Sequence, residues 1–341
     1  MLKQAQRALT EGRASRLCYT ASSPEVTVTV GELLIAHVSG VHRCGSLWNC
    51  PLCAPVVRQG RAKEIDLAAS RVLNSGGCGL FVTATGPHRM GDPLAPLFDL
   101  TCQFGKLTMN GAKARELRTR LGLIGSIRTI DVTYTENGWH PHVHQLMLFV
   151  RQLSPGEVAE LRTFLFDRWQ GALTRRGFAK LHPVHGLDVR PVTDAAGLSE
   201  YLAKVEGDDG WGIGWELARS DLKHRSVSPM QLLADWALGR DLVARALWKE
   251  YEAATYGRRC IQWTPGLRAA LVPDVEEVDD EELAAREGED EALVTVTFGH
   301  VEWNGWVKRG EVAVVLRQVE EAAALLMFLA RFGSSTREVA A

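Results

Sequence analysis

The most constraining feature of this chain is a pair of strand-like runs joined by an Asn-Gly turn signal. The first run is IRTIDVTYT at 127–135, and the second is PHVHQLMLFV at 141–150. Asn-Gly between two apolar-rich runs is a strong short-range indication of a β-hairpin. We therefore predict an antiparallel pair of strands, the second of which continues into a hydrophobic core.

The second strand carries closely spaced histidines. Alternate residues of a strand share a face, so His142 and His144 point the same way while Val143 enters the core. Two imidazoles at this spacing can chelate one divalent ion and leave other coordination positions open. A half-exposed surface pair that binds no ion is the alternative interpretation.

The opposite strand of the hairpin offers an oxygen ligand. Counting back through the turn places Asp131 roughly opposite Leu146, close to the two histidines. Asp131 is therefore the expected carboxylate ligand of a catalytic divalent ion. Glu136 and His140 are alternatives.

A tyrosine and a lysine lie on one helix face further along the chain. The run LSEYLAK at 198–204 is helical in pattern, and Tyr201 and Lys204 are three residues apart. A tyrosine hydroxyl with a pKa of about 10 is a weak nucleophile unless a cation stabilises its phenolate. Lys204 could do this, or could hold a phosphate as charge develops on it. An amphipathic helix with Tyr201 packed inward is the alternative.

Three cysteines fall within ten residues near the N-terminus. Cys50 and Cys53 form a CxxC pair, and Cys44 precedes them. Structural zinc requires four nitrogen or sulfur ligands in a closed tetrahedron, and His42 or Cys18 could supply the fourth. A redox-active CxxC or unligated buried thiols are the alternatives. The odd total of seven cysteines does not indicate a disulfide framework.

These motifs together resemble those of the HUH endonucleases. The strand GWHPHVH at 138–144 and the helix segment YLAK at 201–204 are similar to the two main motifs of that superfamily. FVTAT at 81–85 resembles its first motif strand. The single tyrosine resembles the initiators of rolling-circle plasmids, which often carry a cysteine-rich segment at this place. The resemblance covers about 81–204.

The resemblance implies a fold and a mechanism. The fold would be α+β, with a central antiparallel β-sheet flanked by helices, the histidine strand central and the tyrosine on an adjacent helix. Mg²⁺ or Mn²⁺ held by His142 and His144 would polarise a scissile phosphate of single-stranded origin DNA. Tyr201 would attack that phosphate, giving a 5′-phosphotyrosine and a free 3′-OH. The protein would thus be a plasmid rolling-circle replication initiator.

One position departs from the family pattern. Single-tyrosine relatives often carry a glutamate one helical turn before the tyrosine, where this chain has Gly197. Glu200 would point about 100° away on a helix of about 3.6 residues per turn, and Glu206 is the other nearby acid. Nicking and joining are therefore better supported than a terminating cleavage.

Other functional classes account for fewer of these residues. A non-catalytic zinc-containing DNA-binding protein explains the cysteines but gives the histidines and Tyr201 no role. A hydrolase that activates water would need more carboxylates than Asp131 and Glu136. An HUH relaxase usually has a third metal-binding histidine and a nucleophile near its N-terminus, whereas an HUH transposase is harder to separate.

The net charge of −2 hides an uneven distribution. The tract 274–291 holds 11 of the 41 acids and one of the 39 bases, so the remainder carries +8. A positive remainder is compatible with phosphate binding, and the helical run 56–73 carries Arg58, Arg61 and Lys63 as candidate DNA-binding residues. Host helicase and polymerase are expected partners. The chain starts without a signal-peptide pattern and contains no membrane-length apolar run, so a cytoplasmic location is expected.

The sequence predicts five successive segments. They are an N-terminal segment with the zinc knuckle and basic helix (1–77), an HUH nuclease core (78–206), a helical extension (207–272), an acidic linker (273–292) and a small C-terminal α/β appendage (293–341). In the appendage we predict strands at 292–303 and 311–316 and a helix from about Gln318. That appendage could pack on the core or form a homo-oligomer contact.

Overall fold

The computed structural model describes residues 1–192, 226–286 and 292–332. Within these ranges the helices are α1 (Leu2–Leu9), α2 (Arg13–Leu17), α3 (Cys53–Asn74), α4 (Leu94–Cys102), α5 (Phe104–Thr108), α6 (Ala112–Leu121), α7 (Pro155–Thr174), α8 (Pro229–Gly239), α9 (Leu242–Thr255), α10 (Leu267–Leu271), α11 (Asp280–Ala285), α12 (His300–Arg309) and α13 (Val312–Phe332). The strands are β1 (Glu25–Val30), β2 (Ala36–Ser39), β3 (Cys78–Thr85), β4 (Leu123–Thr135), β5 (Gly138–Phe149), β6 (Leu187–Val192), β7 (Ile261–Trp263) and β8 (Val294–Gly299).

A five-stranded antiparallel sheet lies at the centre of this fold, in the order β6-β3-β5-β4-β7. The histidine strand β5 is third of the five and is hydrogen-bonded to β3 on one side and β4 on the other. The predicted α+β class, with an antiparallel sheet flanked by helices, is confirmed. The edge strand β7 comes from 261–263, beyond the predicted nuclease core of 78–206.

The β4–β5 hairpin closes through a two-residue turn. Thr135 pairs with Gly138, and only Glu136 and Asn137 lie between them. Gly138 has φ +87°, and a Cβ at this position would lie 2.8 Å from the backbone carbonyl oxygen of Arg89. Both the positive φ and the close approach require glycine. The turn is therefore shorter than the one that the sequence predicted.

This tight turn changes the register of the hairpin. Asp131 pairs directly with His142, and Thr129 pairs with His144. The prediction that Asp131 lies opposite Leu146 is therefore wrong by four residues on β5. The correction brings the carboxylate closer to the histidines than expected.

The two faces of β5 pack against different helices. Leu146 and Leu148 belong to a buried cluster with Ile65 and Ala69 of α3. Val143, on the other face, belongs to a separate buried cluster that includes residues of α7. Histidines that alternate with Val143 therefore lie on the α3 side of the sheet.

Helix α7 closes the other side of the sheet. Its N-terminus has the predicted capping box, in which Ser154 and Glu157 each bond the other's backbone N–H. Trp169 of α7 is fully buried and donates its indole N–H to the carbonyl of Thr85, at 3.3 Å. The apolar core of α7 and the edge of β3 are thereby fixed relative to each other.

A second sheet joins the two ends of the chain. Its order is β2-β1-β8, so β1 from the predicted N-terminal segment pairs along its whole length with β8 from the predicted C-terminal appendage. Val26, Val28 and Val30 alternate along β1 and are fully buried against α12 and α13. The N-terminal segment and the appendage therefore share one core.

The C-terminal appendage differs from the prediction in both of its predicted strands. The predicted strand at 311–316 lies instead at the start of α13, and the predicted strand at 292–303 ends at Gly299. The β-branched run suggested a strand, but it continues into an Ala- and Leu-rich sequence in which Val319 and Ala323 are buried at helical spacing. No helix of the described ranges combines the length and the apolar character needed to cross a membrane.

The described part of the acidic tract packs against α3. Its helix α11 packs on α3, where Gly60 approaches the Leu283 side chain so closely that an added Cβ would lie 2.8 Å away. Arg61 binds Asp280 at 2.8 Å, and Arg71 binds Asp274. In its described part the negative tract therefore meets a complementary basic helix, which sequence order alone does not show.

Candidate active site and metal-binding groups

The histidine–aspartate group consists of Asp131, His142 and His144. Their candidate ligand atoms all lie within 4.8 Å of one another. The group lies on β4 and β5, two neighbouring central strands. Their pairing, with Asp131 opposite His142, places the three side chains on one face of the sheet. Two imidazole nitrogens and one carboxylate oxygen at this spacing could hold one divalent ion and leave positions open for other oxygen ligands.

Hydrogen bonds fix both imidazoles of this group. His142 places Nε2 3.2 Å from Oδ2 of Asp131 and donates from Nδ1 to the carbonyl oxygen of His140. His144 places Nδ1 3.1 Å from the hydroxyl oxygen of Thr83, while its ring stacks on Phe81. With Nδ1 occupied in this way, Nε2 of each ring is the nitrogen left for an ion.

The electrostatics of the group follow from burial and from the close carboxylate. Burial opposes charge on His142, but the hydrogen bond and charge of Asp131 outweigh it and raise the His142 pKa above its ordinary value. Burial also opposes ionisation of Asp131, yet His142, with Arg58 and His144, lowers the Asp131 pKa to about 2. Burial and then His142 lower the pKa of His144 to about 4. The carboxylate and His144 are thus both unprotonated at neutral pH.

Further residues lie around this group: His140, which the sequence offered as an alternative ligand, and His88 and Thr83, which it did not single out as site residues. The His140 ring lies between those of His142 and His88, with ring centroids 5.2 and 4.7 Å away and the ring planes tilted. Burial, then His142 and His88, lower the His140 pKa to about 4. His88 follows β3, far from the hairpin in sequence, so only the β3–β5 pairing could have revealed it. Thr83 is the position opposite His144 in that pairing.

We expect Thr83→Val to weaken Mn²⁺ binding by about 10–100-fold, the usual effect of removing a hydrogen bond to a ligand imidazole. The valine keeps the shape of the side chain but cannot accept the His144 Nδ1 hydrogen bond. Mn²⁺ affinity measured by calorimetry would show the loss. Thr27→Val on β1 of the other sheet is the matched control, and equal affinity in both variants would contradict this role.

The raised His142 pKa predicts the pH dependence of metal binding. A protonated imidazole has no lone pair, so an ion must displace the His142 proton at any pH below that pKa. We expect Mn²⁺ affinity to fall about 10-fold per pH unit as the pH drops below the His142 pKa, because one proton is displaced. The fall should begin above about pH 6.5, the ordinary histidine value.

Titration of Mn²⁺ between pH 5 and pH 8 would test this dependence. Asp131 and His144 contribute little to the slope because their pKa values, about 2 and about 4, lie below this range. His142→Asn should flatten the profile. A slope of two protons per ion in the wild type would contradict the assignment.

The four-cysteine group consists of Cys18, Cys44, Cys50 and Cys53, whose sulfur atoms all lie within 4.8 Å of one another. The Cys18 sulfur is 3.7 Å from that of Cys50 and 3.5 Å from that of Cys53, and none of the four is in a disulfide. Four thiolates about 2.3 Å from a tetrahedral zinc ion stand about 3.8 Å apart. The observed spacing fits that arrangement.

Cys18 replaces His42 as the fourth candidate ligand. His42 is exposed, and its backbone pairs with the segment that leads away from Cys18. The α2 helix ends just before Cys18 and turns its thiol into the core beside Cys50. The sequence had kept both alternatives open, because neither lies within a CxxC pair.

Basic groups surround the four-cysteine group. The buried Lys3 ammonium lies 3.5 Å from the Cys50 sulfur, and hydrogen bonds from Cys18, Cys44 and Cys53 hold the Cys50 pKa well below its ordinary value. Arg7 hydrogen-bonds the Cys18 carbonyl. A zinc ion with four thiolates carries two net negative charges, so cations at this distance suit such a centre.

The predicted DNA-binding residues have separate environments. Arg61 is committed to Glu64, Asp280 and the carbonyl of Val278, so it is not presented to a phosphate backbone. Lys63 is exposed. Arg58 donates to the carbonyl oxygen of Leu47 at 3.1 Å, and its charge is one cause of the lowered Asp131 pKa.

The predicted nucleophile Tyr201 and its neighbour Lys204 lie outside the described residues. The same is true of Gly197, Glu200 and Glu206. Their roles stay predictions from the sequence.

Comparison with known proteins identifies the family. "Protein rep" of Streptomyces lividans is 32% identical over 315 residues, which cover 72% of this chain and 67% of that protein. The chain belongs to the Rep protein family. This Rep-family chain is also 31% identical over 134 residues to a "Neomycin resistance protein" of Streptomyces cyanogenus, covering 32% of the chain and 31% of that protein. No family model and no solved structure matches it.

Proposed function

We propose that this protein is a rolling-circle replication initiator that nicks and joins single-stranded origin DNA. The observation that carries the proposal is the convergence of Asp131, His142 and His144 on one face of a central hairpin. Membership of the Rep protein family supports a role in replication, and the HUH-like motifs support the nicking chemistry. A plasmid origin and a cytoplasmic location belong to the same proposal.

The three ligands prepare a divalent site. A bound Mn²⁺ or Mg²⁺ would supply Lewis acidity toward a non-bridging phosphate oxygen, with the nitrogen ligands favouring Mn²⁺. Asp131 stays ionised and holds His142 in place, while Thr83 orients His144. The positive charge of Arg58 favours the ionised form of Asp131.

Tyr201 is the proposed nucleophile. Its phenolate oxygen attacks the scissile phosphorus and the bond from phosphorus to the 3′-oxygen breaks, leaving a 5′-phosphotyrosine and a free 3′-OH. Attack by a 3′-OH on the phosphotyrosine reverses the step and joins the strand. Lys204, three residues further along the sequence, would stabilise the phenolate. A host polymerase would then extend the strand from the 3′-OH, with a host helicase unwinding the duplex.

The test is covalent attachment to DNA. The full chain would be incubated with Mn²⁺ and labelled single-stranded oligonucleotides tiled across the DNA that flanks its own gene, then run on denaturing gels. We expect a protein–DNA adduct that is lost on chelation and in Tyr201→Phe. Tyr256→Phe, which changes an exposed tyrosine of the described chain, is the control and should retain the adduct.

An adduct of normal yield in Tyr201→Phe would show that another residue is the nucleophile. Tight origin binding with no adduct on any strand would favour a non-catalytic DNA-binding protein. An HUH transposase would instead form the adduct on the ends of a mobile element rather than on a replication origin.

A further inference from the structure

A pocket lies on the face of the central sheet opposite the histidine–aspartate group. It is a cavity of about 510 Å³ between α5, α6 and the start of β4, here called the α5–α6 cavity. Gln145 lines it and follows His144 on β5, so the two side chains point to opposite faces of one strand. Its volume falls within the range of about 300–1,000 Å³ that holds small ligands.

Positive charge dominates the wall of this cavity. Lys106 of α5 and Arg115 and Arg118 of α6 line it, and its described lining contains no acidic side chain. Within residues 1–192, 226–286 and 292–332, none of these three cations makes an ion pair. Three cations without acidic partners around one concave surface indicate an anionic ligand.

A buried amide provides the second observation. Gln145 is 5% exposed and donates from Nε2 to the Ser126 hydroxyl at 2.8 Å, while its Oε1 has no hydrogen-bond partner in the described structure. Gly105 faces this oxygen, and a Cβ there would lie 3.5 Å from it. A buried carbonyl oxygen without a donor favours a ligand that brings an N–H group.

Two methionines form an apolar part of the wall. Met109 and Met147 line the cavity, and thioethers pack well against aromatic rings. We propose that the α5–α6 cavity binds a nucleotide, with its phosphate against Lys106, Arg115 and Arg118 and an N–H-bearing base beside Gln145. The nucleotide could be free or one residue of a single strand, and the chemistry recognised is the same. This pocket does not depend on the proposed metal site.

Binding of mononucleotides to the full chain, without added divalent ions, tests the proposal. We expect at least one of dAMP, dCMP, dGMP and dTMP to bind at least 10-fold more tightly than deoxyribose 5-phosphate, as measured by calorimetry. Lys106→Glu and Arg115→Glu should each weaken this binding at least 10-fold. Lys113→Glu makes the same charge change on α6 outside the cavity lining and should leave it unaltered.

The Gln145→Met variant tests the base contact. It should reduce the preference for nucleotides over deoxyribose 5-phosphate while leaving binding of deoxyribose 5-phosphate unchanged. His142→Ala should bind nucleotides as the wild type does, which separates this pocket from the proposed nuclease site. Failure of the nicking assay would therefore leave this result intact.

A labelled single-stranded oligonucleotide distinguishes the two sources of the nucleotide. If no mononucleotide binds but oligonucleotide binding falls in Lys106→Glu and Arg115→Glu and not in Lys113→Glu, the pocket takes one residue of a strand. If neither ligand responds to these two variants, or if deoxyribose 5-phosphate binds as tightly as every nucleotide, the proposal is overturned.

Discussion

Replacing His144 by alanine is expected to reduce Mn²⁺-dependent adduct formation by at least about 100-fold. His144 is 9% exposed, and its ring is held by Thr83 and Phe81, so its nitrogen is fixed in place within the group. Without it, Asp131 and His142 supply two of the three ligands in the group. The rate of adduct formation at saturating Mn²⁺ and excess oligonucleotide is the measurement.

His185→Ala is the control for this prediction. His185 is exposed, stacks on His182 and lies outside both metal-binding groups. Its substitution should leave the rate within about twofold of wild type. If His144→Ala formed the adduct as fast as His185→Ala, the histidine–aspartate group would have no part in the chemistry.

Asp131→Asn separates two effects of the carboxylate. The amide keeps an oxygen ligand, but it removes the negative charge that raises the His142 pKa. We expect weaker Mn²⁺ binding together with a His142 pKa closer to its ordinary value, which histidine NMR would report. The part of the lost adduct-formation rate that excess Mn²⁺ restores reports weaker Mn²⁺ binding. The part that excess Mn²⁺ does not restore reports a slower chemical step.

Local pattern revealed the residues of this site better than it revealed their geometry. The alternation of His142 and His144 about Val143 is a property of any strand, so their shared face followed from three residues. Asp131 was expected beside the histidines and lies there, but its predicted register was wrong, because register depends on the length of the turn. The length of the turn became clear only from the structure, in which Gly138 has a positive φ.

Long-range contacts lay beyond the reach of the sequence. Arg61 reads as a DNA-binding residue on a basic helix, yet its partner Asp280 lies 219 residues away. The pairing of β1 with β8 likewise joins the ends of the chain. Patterns of a few residues predict individual helices and strands. The long-range pairings depend on how those helices and strands pack together, and no short stretch of sequence contains that information.

The Val-rich start of α13 illustrates a different failure. A run of β-branched residues favours a strand only where a neighbouring strand is available to pair with it. In the sheet β2-β1-β8, the described strands β2 and β8 form the edges, and the Val-rich run pairs with neither. Instead, α13 covers the face of this sheet with Val319 and Ala323. Packing against the sheet therefore overrides the local propensity.

We expect the purified protein to carry one zinc ion at the four-cysteine group, and the Cys18→Ser variant to lose that ion and much of its thermal stability. Structural zinc binds with an apparent free energy of about 10–16 kcal/mol in small peptides, comparable with the whole stability of a domain. Loss of one of four thiolates should cost several kcal/mol. About 1 kcal/mol shifts Tm by about 2–4 °C in domains of 150–250 residues, so a fall of about 10 °C is expected.

Two controls separate metal binding from packing in that experiment. Cys78→Ser changes a buried free thiol outside the four-cysteine group, and His42→Ala removes the rejected fourth ligand. Both should retain one zinc per chain by elemental analysis, and the cobalt-substituted protein should give the absorption of a tetrahedral thiolate centre. Zinc retained in Cys18→Ser but lost in His42→Ala would show that His42, and not Cys18, is the fourth ligand.

Because Cys18 follows α2 and Cys53 begins α3, a common ion would tie the N-terminal helices to the helix that covers the histidine face of the sheet.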